Sequence, residues 1–293
     1  MWYYKMNYFP KGGAGLDLNW FESFLYGLFS GLGDILPISA EAHQLLMLKF
    51  FGVSGDLELI RLFARLGVCG ALFVVCRPQL VRMRRARALK RVPKRRRRRP
   101  LDVRSLMDSS LLITMLVPVA LALCLKSRVD FLGEKLIWVA ALLLVNGVIL
   151  YIPQFFPSAN RDSRTLSRVQ GLLIGLGGAL GILPGVSGMG AALSVGSVCG
   201  VDRSYGLGMA LLMELFFQAG LAVLDVMALI AAGAGTLSFV IFLRYLFTAA
   251  VAFGGAYLAA RLMRTLAGSL GYSLFGYYCW GIALFTFVLN LMA

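Results

Sequence analysis

Six long apolar runs constrain this chain more than any other feature, because each can cross a bilayer as a helix. A membrane-spanning helix needs about 20 predominantly apolar residues. The chain is 59% hydrophobic, above the roughly 45–50% of a soluble domain. We therefore predict an all-α polytopic membrane protein that forms a single membrane domain over residues 1–293. The predicted spans are 58–76, 106–125, 136–152, 206–224, 237–257 and 272–292.

Two further apolar regions, 20–52 and 169–199, are interrupted near their middle. Pro37 interrupts the first region and Pro184–Gly185 the second. Proline removes a backbone donor and clashes with the preceding turn of a helix. Each half is too short to cross alone, so each region predicts a re-entrant helical hairpin. Irregular backbone survives at membrane depth only where protein or water satisfies its polar groups, so these hairpins are expected to face a shared cavity.

The order of one hairpin followed by three spans occurs twice along the chain. The first repeat covers 20–152 and the second 169–292, and an odd number of spans makes the second repeat inverted relative to the first. The hairpins share a phrase, GDILPIS at 33–39 and LGILPGVS at 180–187. Matching interrupted segments in inverted halves indicate a site near the bilayer midplane. We therefore expect the two hairpin tips to meet.

Positive charge is concentrated in one segment, the predicted basic loop 77–104. It holds 14 Lys and Arg and one acid, Asp102, whereas the rest of the chain has 15 bases and 13 acids. The chain as a whole is therefore not predicted to bind nucleic acid. Two interpretations stay open: a cytoplasmic loop that follows the positive-inside rule, or a clamp on anionic lipid headgroups. Both place the loop inside, although Lys126, Arg128 and Lys135 then fall on the outer side and count against this orientation.

The cysteines and the N-terminal segment carry weaker signals. All five cysteines lie in or beside apolar runs and lack metal-ligand spacing, so buried free thiols are expected rather than disulfides. Residues 1–20 are aromatic and polar and lack the apolar core of a cleavable signal peptide, so none is expected there.

The first interrupted region contains ionisable groups that membrane segments usually exclude. Asp34, Glu41 and His43, the only histidine of the chain, lie within ten residues. Ionisable groups at membrane depth are costly and generally functional. A broken helix also exposes backbone N–H groups and helix N-termini, which favour anions. The competing interpretation is a packing kink that tolerates a few polar groups.

The two interrupted regions also contain recognisable motifs, SGLGDILPISAEAH at 30–43 and PGVSGMGAA at 184–192. They resemble the two motifs of the bacitracin-resistance type of undecaprenyl-pyrophosphate phosphatase, and the resemblance covers about residue 24 to the C-terminus. The first family motif is Glu-x-x-x-Glu followed by Phe-Leu-Pro-x-Ser-Ser-Thr-Gly-His, and here Ser30 and Asp34 take the glutamate positions. The second is Pro-Gly-x-Ser-Arg-Ser-Gly-x-Thr, in which Gly188 replaces the arginine.

The resemblance implies a multi-pass enzyme of the bacterial inner membrane that removes one phosphate from a polyprenyl diphosphate carrier during recycling for cell-wall synthesis. It implies that His43 acts as nucleophile or general acid/base. Asp34 or Glu41 would orient His43 or bind Mg²⁺ or Ca²⁺ together with the diphosphate. The motif positions expected to bind substrate are Ser39, Gly185, Ser187 and Gly188.

The loss of the motif arginine directs attention to other charged residues. Arg61 and Arg65 are four apart and share one helix face, so they are candidates to replace it as the phosphate clamp. Glu214, within an apolar span, is a further acid partner at the substrate site. The alternative is that these charges pair with one another as buried ion pairs without a ligand.

Three functions stay open from the sequence. The first is hydrolysis of a polyprenyl diphosphate, so enzymatic activity is itself left undecided. The second is a non-catalytic relative that binds or flips polyprenyl phosphate or another anionic lipid across the membrane, with its carboxylates coupled to protons. The third is a scaffold or regulator recruited through the basic loop. The oligomeric state is also open, with a homodimer as one candidate.

Overall fold

The computed structural model describes residues 18–53, 55, 57–96, 100–156, 160–232, 238–266 and 272–292. Every named secondary-structure element in these ranges is helical, and six helices are long and apolar enough to cross a membrane. The predicted all-α membrane fold with six spans is therefore confirmed. The prediction that the chain starts without a cleavable signal peptide concerns residues 1–17, which lie outside the described residues.

Ten α-helices account for the regular structure of the described ranges. They are α1 Trp20–Ile35, α2 Ala40–Phe50, α3 Glu58–Arg91, α4 Val103–Val129, α5 Leu136–Tyr151, α6 Arg168–Ala179, α7 Gly188–Val198, α8 Arg203–Ala232, α9 Phe239–Leu266 and α10 Ser273–Met292.

The two interrupted regions fold as pairs of short helices, α1–α2 and α6–α7. A capping box between Asn19 and Glu22 begins α1, which ends just before Pro37. With 16 and 11 residues, α1 and α2 are about 24 Å and 17 Å long at about 1.5 Å per residue. Both are shorter than the roughly 30 Å hydrocarbon core, as predicted for helical hairpins. That each hairpin enters and leaves by the same membrane face stays a prediction.

The packing of the helices follows a two-fold pattern. If α1–α5 correspond in order to α6–α10, the contact of α1 with α9 maps onto that of α6 with α4. The contact of α3 with α9 maps onto that of α8 with α4, and the pairs α3–α8 and α5–α10 map onto themselves. This pattern is what two related repeats would produce. Their inversion relative to the membrane stays a prediction.

Small residues allow the long helices to approach closely. A side chain at Gly67 of α3 would collide with the backbone carbonyl of Ala249 in α9, and one at Gly31 of α1 with that of Ala252. Close backbone approach at small residues is a common way to pack helices in a membrane, where burial of apolar surface drives little association. Helix α9 therefore fits tightly between α1 and α3.

The segment predicted as a basic loop, 77–104, is helical in its first half. Helix α3 continues through Arg91 because Arg, Lys, Ala, Met and Leu all favour helix. Met83 and Ala86 are buried on one face of this extension, and Arg87 donates a hydrogen bond to the Ser109 carbonyl of α4 at 3.3 Å. The prediction of a loop is therefore corrected for residues 77–91.

The cysteines are free thiols, as predicted. Cys76 and Cys279 are buried, and Cys69 and Cys199 are partly buried, but Cys124 is exposed. The predicted burial of Cys124 is wrong because its side chain lies on the face of α4 that points away from the helix bundle.

Candidate functional site

The tips of the two hairpins meet, as the shared phrase predicted. The Gly185 backbone N–H donates a hydrogen bond to Ser39 Oγ at 3.1 Å. Asn146 of α5 bridges the same tips: its Nδ2 donates to the Pro37 carbonyl at 3.2 Å, and its Oδ1 accepts from the Ser187 N–H at 3.0 Å. Asn146 is completely buried, so these bonds are made away from water and fix the register of one hairpin against the other.

Both tips use unusual backbone conformations to start their second helix. Ser39 has a φ of 67° and Gly185 a φ of 117°. Residues other than glycine rarely adopt a positive φ. Such residues are costly and often lie at functional sites. Ser187 then caps α7 by accepting a hydrogen bond from the Gly190 N–H at 3.1 Å. The two turns bring the N-termini of α2 and α7 to one place, where the helix dipoles favour an anion.

A polar cavity lies beside the joined tips, between α1, α2, α3 and α8. The empty space between its lining atoms, counting its open mouth, is about 530 Å³. Seven of the predicted site residues line it together. They are Asp34, Ser39, Glu41, Arg61, Arg65, Ser187 and Glu214. The polar side chains of Ser30, at a motif glutamate position, and of Gln44 and Gln218, which the sequence did not single out, complete the lining.

His43 does not line this cavity, which corrects the expectation that it faces the hairpin tips across a shared space. It follows Glu41 by two positions, and at about 100° per residue this places it on the other side of α2. Its Nδ1 lies 2.8 Å from the Ser39 carbonyl and its Nε2 2.9 Å from the Tyr278 hydroxyl. The imidazole also stacks on Tyr278, with ring centroids 5.7 Å apart. The structure thus gives His43 structural partners and separates it from the cavity.

Gly188 and Gly185 contribute backbone rather than side-chain chemistry. A Cβ at Gly188 would lie 2.5 Å from the Gly178 carbonyl oxygen and 3.0 Å from Gly181 Cα, so the two halves of the second hairpin touch here. An arginine cannot occupy this position without separating them. The Gly185 N–H is already bound by Ser39. Neither Gly185 nor Gly188 lines the cavity, so the structure does not place them where the sequence predicts substrate contact.

Arg65 lines the cavity while it is held by α8. It forms an ion pair with Asp225 and donates to the Leu221 carbonyl at 3.3 Å, both through Nη1. A guanidinium has five N–H donors, so the N–H groups of Arg65 other than those on Nη1 stay available to a ligand. The sequence signal for Asp225 was visible, because a lone acid near the end of an apolar run needs a cationic partner.

Among the described residues, three other ionisable groups of the cavity lack an ion-pair partner. Within the part of the chain that the structure describes, Arg61, Asp34 and Glu214 form no ion pair. Gln218 Nε2 donates to Glu214 at 2.8 Å, while Gln218 Oε1 is buried without a hydrogen-bond partner. Arg61 lies beside the Tyr26 hydroxyl. Pairing without a ligand therefore accounts for Arg65 but not for these groups, and unpaired buried charge is expensive.

Lys126 is a residue of this region that the sequence did not assign to the site. It is only 8% exposed, and its Nζ lies 3.2 Å from Glu41 and 3.0 Å from Asp130. It also donates to the Ile182 carbonyl of the second hairpin at 3.2 Å. Lys126 thus joins the two hairpins from inside the bundle. It lies in the last turn of α4, and the orientation of the chain in the membrane stays a prediction.

The carboxylates of the cavity offer few ligands to a divalent cation. The described ranges contain no group of three or more His, Cys, Asp or Glu that could hold a metal ion. Lys126 already binds Glu41, one of the two predicted ligands, and leaves Asp34 as the other. Mg²⁺ and Ca²⁺ take about six to eight oxygen ligands. The predicted ion therefore stays a prediction that depends on oxygens from a ligand.

Comparison with known proteins shows consistent similarity over most of the chain. Residues 23–285 match the family described as "Bacitracin resistance protein BacA". A protein of Methanobrevibacter smithii named undecaprenyl-diphosphatase is 28% identical over 272 residues, 91% of this chain and 96% of the relative. One of the same name from Carboxydothermus hydrogenoformans is 24% identical over 93% of this chain and 98% of its own length. Another, from Pseudarthrobacter chlorophenolicus, is 30% identical over 64% and 66%.

Proposed function

The chain belongs to the bacitracin resistance protein BacA family, and on this premise we propose that its polar cavity binds and hydrolyses the headgroup of a polyprenyl diphosphate. The observation that carries the proposal is the composition of the cavity. Two arginines, of which Arg61 has no carboxylate partner among the described residues, lie beside two carboxylates that also lack ion pairs. Such a set is suited to an anionic ligand and to proton transfer.

The arginines would bind the diphosphate in place of the motif arginine. Guanidinium forks match phosphate oxygens in geometry and form charge-assisted hydrogen bonds. Arg61 offers a fork without a carboxylate partner among the described residues, and Arg65 offers what its bond to Asp225 leaves free. The N-termini of α2 and α7 would add dipolar attraction. The polyprenyl chain would lie in the membrane between the helices.

The carboxylates would supply the acid/base chemistry. Water attacks the terminal phosphorus, the bond from that phosphorus to the bridging oxygen breaks, and inorganic phosphate and polyprenyl phosphate result. A positioned carboxylate can accept the proton of the attacking water. Asp34 and Glu214 line the cavity without ion-pair partners in the described ranges, so they are the candidates for this role. His43 would act as a positioning residue through the Ser39 carbonyl.

The cellular setting follows from the same premise. The curated relatives are named undecaprenyl-diphosphatase. We propose that this chain acts in the plasma membrane of a bacterium, where it returns the lipid carrier for cell-wall synthesis. The six apolar helices support a multi-pass membrane protein.

A non-catalytic relative is the second candidate, and two observations favour it. Gly188 replaces the motif arginine, and His43 lies on the far side of α2 from the cavity. The cavity could then bind the phosphate of polyprenyl phosphate, or carry that lipid across the membrane, without hydrolysis.

Phosphate release from undecaprenyl diphosphate by the purified chain tests the proposal. Assays with Mg²⁺, with Ca²⁺ and with a chelator would show whether a ligand-dependent cation takes part. Hydrolysis predicts release that falls by at least about 100-fold in Asp34→Asn or Glu214→Gln, as expected for loss of a general acid or base. Arg261→Gln, an exposed change outside the cavity, should keep full activity.

Two other outcomes separate the candidates. If phosphate is not released but the lipid diphosphate binds tightly, the chain is a binding or transport protein and hydrolysis is refuted. If the lipid does not bind at all, both candidates fail.

A further inference from the structure

A second charged surface lies at the end of α3 away from the cavity. We call it the basic surface and define it by the Lys and Arg side chains of 77–104 that the structure describes. All of them are exposed. They are Arg77, Arg82, Arg84, Arg85, Arg87, Lys90, Arg91, Arg95, Arg96 and Arg104.

Ion pairs among the described residues neutralise little of this charge. With Lys90 set aside, Arg104 is the one member of the basic surface that forms an ion pair within the described residues, with Asp162 at 3.6 Å. The only acid of the segment, Asp102, caps α4 instead by accepting bonds from the Ser105 N–H at 3.0 Å and hydroxyl at 2.6 Å. These bonds hold the pKa of Asp102 below its usual range. The positive charge therefore needs an external counterion.

The spacing of the arginines along α3 is a second reason why the basic surface needs an anionic partner. Arg82 and Arg85 are three apart on α3, as are Arg84 and Arg87, and Arg87 and Arg91 are four apart. Like charges at these spacings destabilise a helix. The helix nevertheless continues through Arg91. An anionic partner along this face would remove the repulsion.

The position of the basic surface identifies that partner. Helix α3 has 34 residues and is about 51 Å long, against roughly 30 Å of hydrocarbon. Residues 66–76 carry no charge, so the basic surface begins where the helix leaves the apolar core. Met83 and Ala86 are buried and hold the extension against the bundle. Its first arginines therefore meet the headgroup region of the bilayer that α3 crosses, and the next ones along the helix lie within about a Debye length of it.

We propose that the basic surface binds anionic phospholipid headgroups, of the phosphatidylglycerol type, in that bilayer. Arginine forks match phosphate bidentately, and each basic group near an anionic leaflet adds attraction that falls off within a Debye length. This binding adds to, and does not replace, the orienting effect of positive charge. It is also independent of the chemistry of the cavity.

Native mass spectrometry of the full chain released from nanodiscs tests the proposal. The discs contain equal parts of phosphatidylglycerol and phosphatidylcholine, and the ratio of the two retained lipids is measured. The wild-type chain should retain phosphatidylglycerol preferentially, and the preference should shrink as salt is raised. The triple variant Arg82→Gln, Arg84→Gln, Arg85→Gln should weaken phosphatidylglycerol binding by about fivefold per charge, on the order of 100-fold in all.

The matched control removes the same charge elsewhere on the predicted cytoplasmic side. Arg161, Arg164 and Arg168 are exposed, and their triple change to Gln should leave the lipid ratio unchanged. Equal loss in both variants would show an effect of net charge alone and overturn the proposal. A wild-type chain without preference would overturn it as well. So would an RNA oligonucleotide that displaces phosphatidylglycerol at equal phosphate concentration, since it would assign the surface to nucleic acid.

Discussion

Asn146→Leu should separate the two hairpins while it nearly preserves the volume of the side chain. The change removes the donor to the Pro37 carbonyl and the acceptor for the Ser187 N–H. Both backbone groups lie at the joined tips, where Asn146 itself is fully buried. An unsatisfied buried group costs about 1–3 kcal/mol. The Ser187 N–H loses its partner, whereas the Pro37 carbonyl keeps the weak Cys279 thiol donor at 3.7 Å, so we predict a loss of at least about 1–3 kcal/mol in the free energy of unfolding.

Thermal unfolding of the purified chain in detergent, followed by tryptophan fluorescence, measures this loss. Thr286→Val is the matched control, because Thr286 is equally buried but its hydroxyl donates to the Ile282 carbonyl of its own helix at 2.7 Å. Loss of that single local bond should cost about 1 kcal/mol. The same unfolding temperature for Asn146→Leu and wild type would refute the account in which α5 holds the tips together.

Two further changes test the packing and charge of the site. Arg65→Gln leaves Asp225 buried without its cation and should cost about 3–5 kcal/mol in unfolding free energy. Arg61→Gln should alter stability little, so equal unfolding curves for the two variants would contradict this reasoning. Gly188→Ala forces a Cβ into the backbone of the same hairpin and should cost about 1–3 kcal/mol. Its control, Gly281→Ala in α10, meets open space and should be neutral or slightly stabilising, so a stable Gly188→Ala variant would refute the close contact.

The overall architecture could be predicted because it depends on local properties of the sequence. Apolar length sets the spans, and Pro37 and Pro184 set the breaks of the hairpins. The sequence predicts a loop over 77–104 because a dense run of charge is typical of a solvent-exposed connection between spans. Arginine is nevertheless a good helix former, and buried Met83 and Ala86 show the periodicity that could have revealed it.

The partners within the site could not be predicted, because they join residues far apart in the chain. Lys126 reaches Glu41 across 85 positions, and Arg65 reaches Asp225 across 160. Asn146 was a visible signal, since a lone amide in an apolar run needs a partner at membrane depth. The face of α2 on which His43 lies depends on where α2 begins after the unusual turn at Ser39. The sequence spacing between Pro37 and His43 does not define that starting point.

Binding of undecaprenyl diphosphate to the purified chain, with Arg61→Gln beside it, tests the central claim most directly. A hydrogen bond to a charged group contributes about 1.5–3 kcal/mol, so loss of the Arg61 fork should weaken binding by about 10–100-fold. Arg261→Gln, exposed and outside the cavity, should bind like wild type. Equal affinity of wild type and Arg61→Gln would contradict the claim that this cavity receives the diphosphate headgroup.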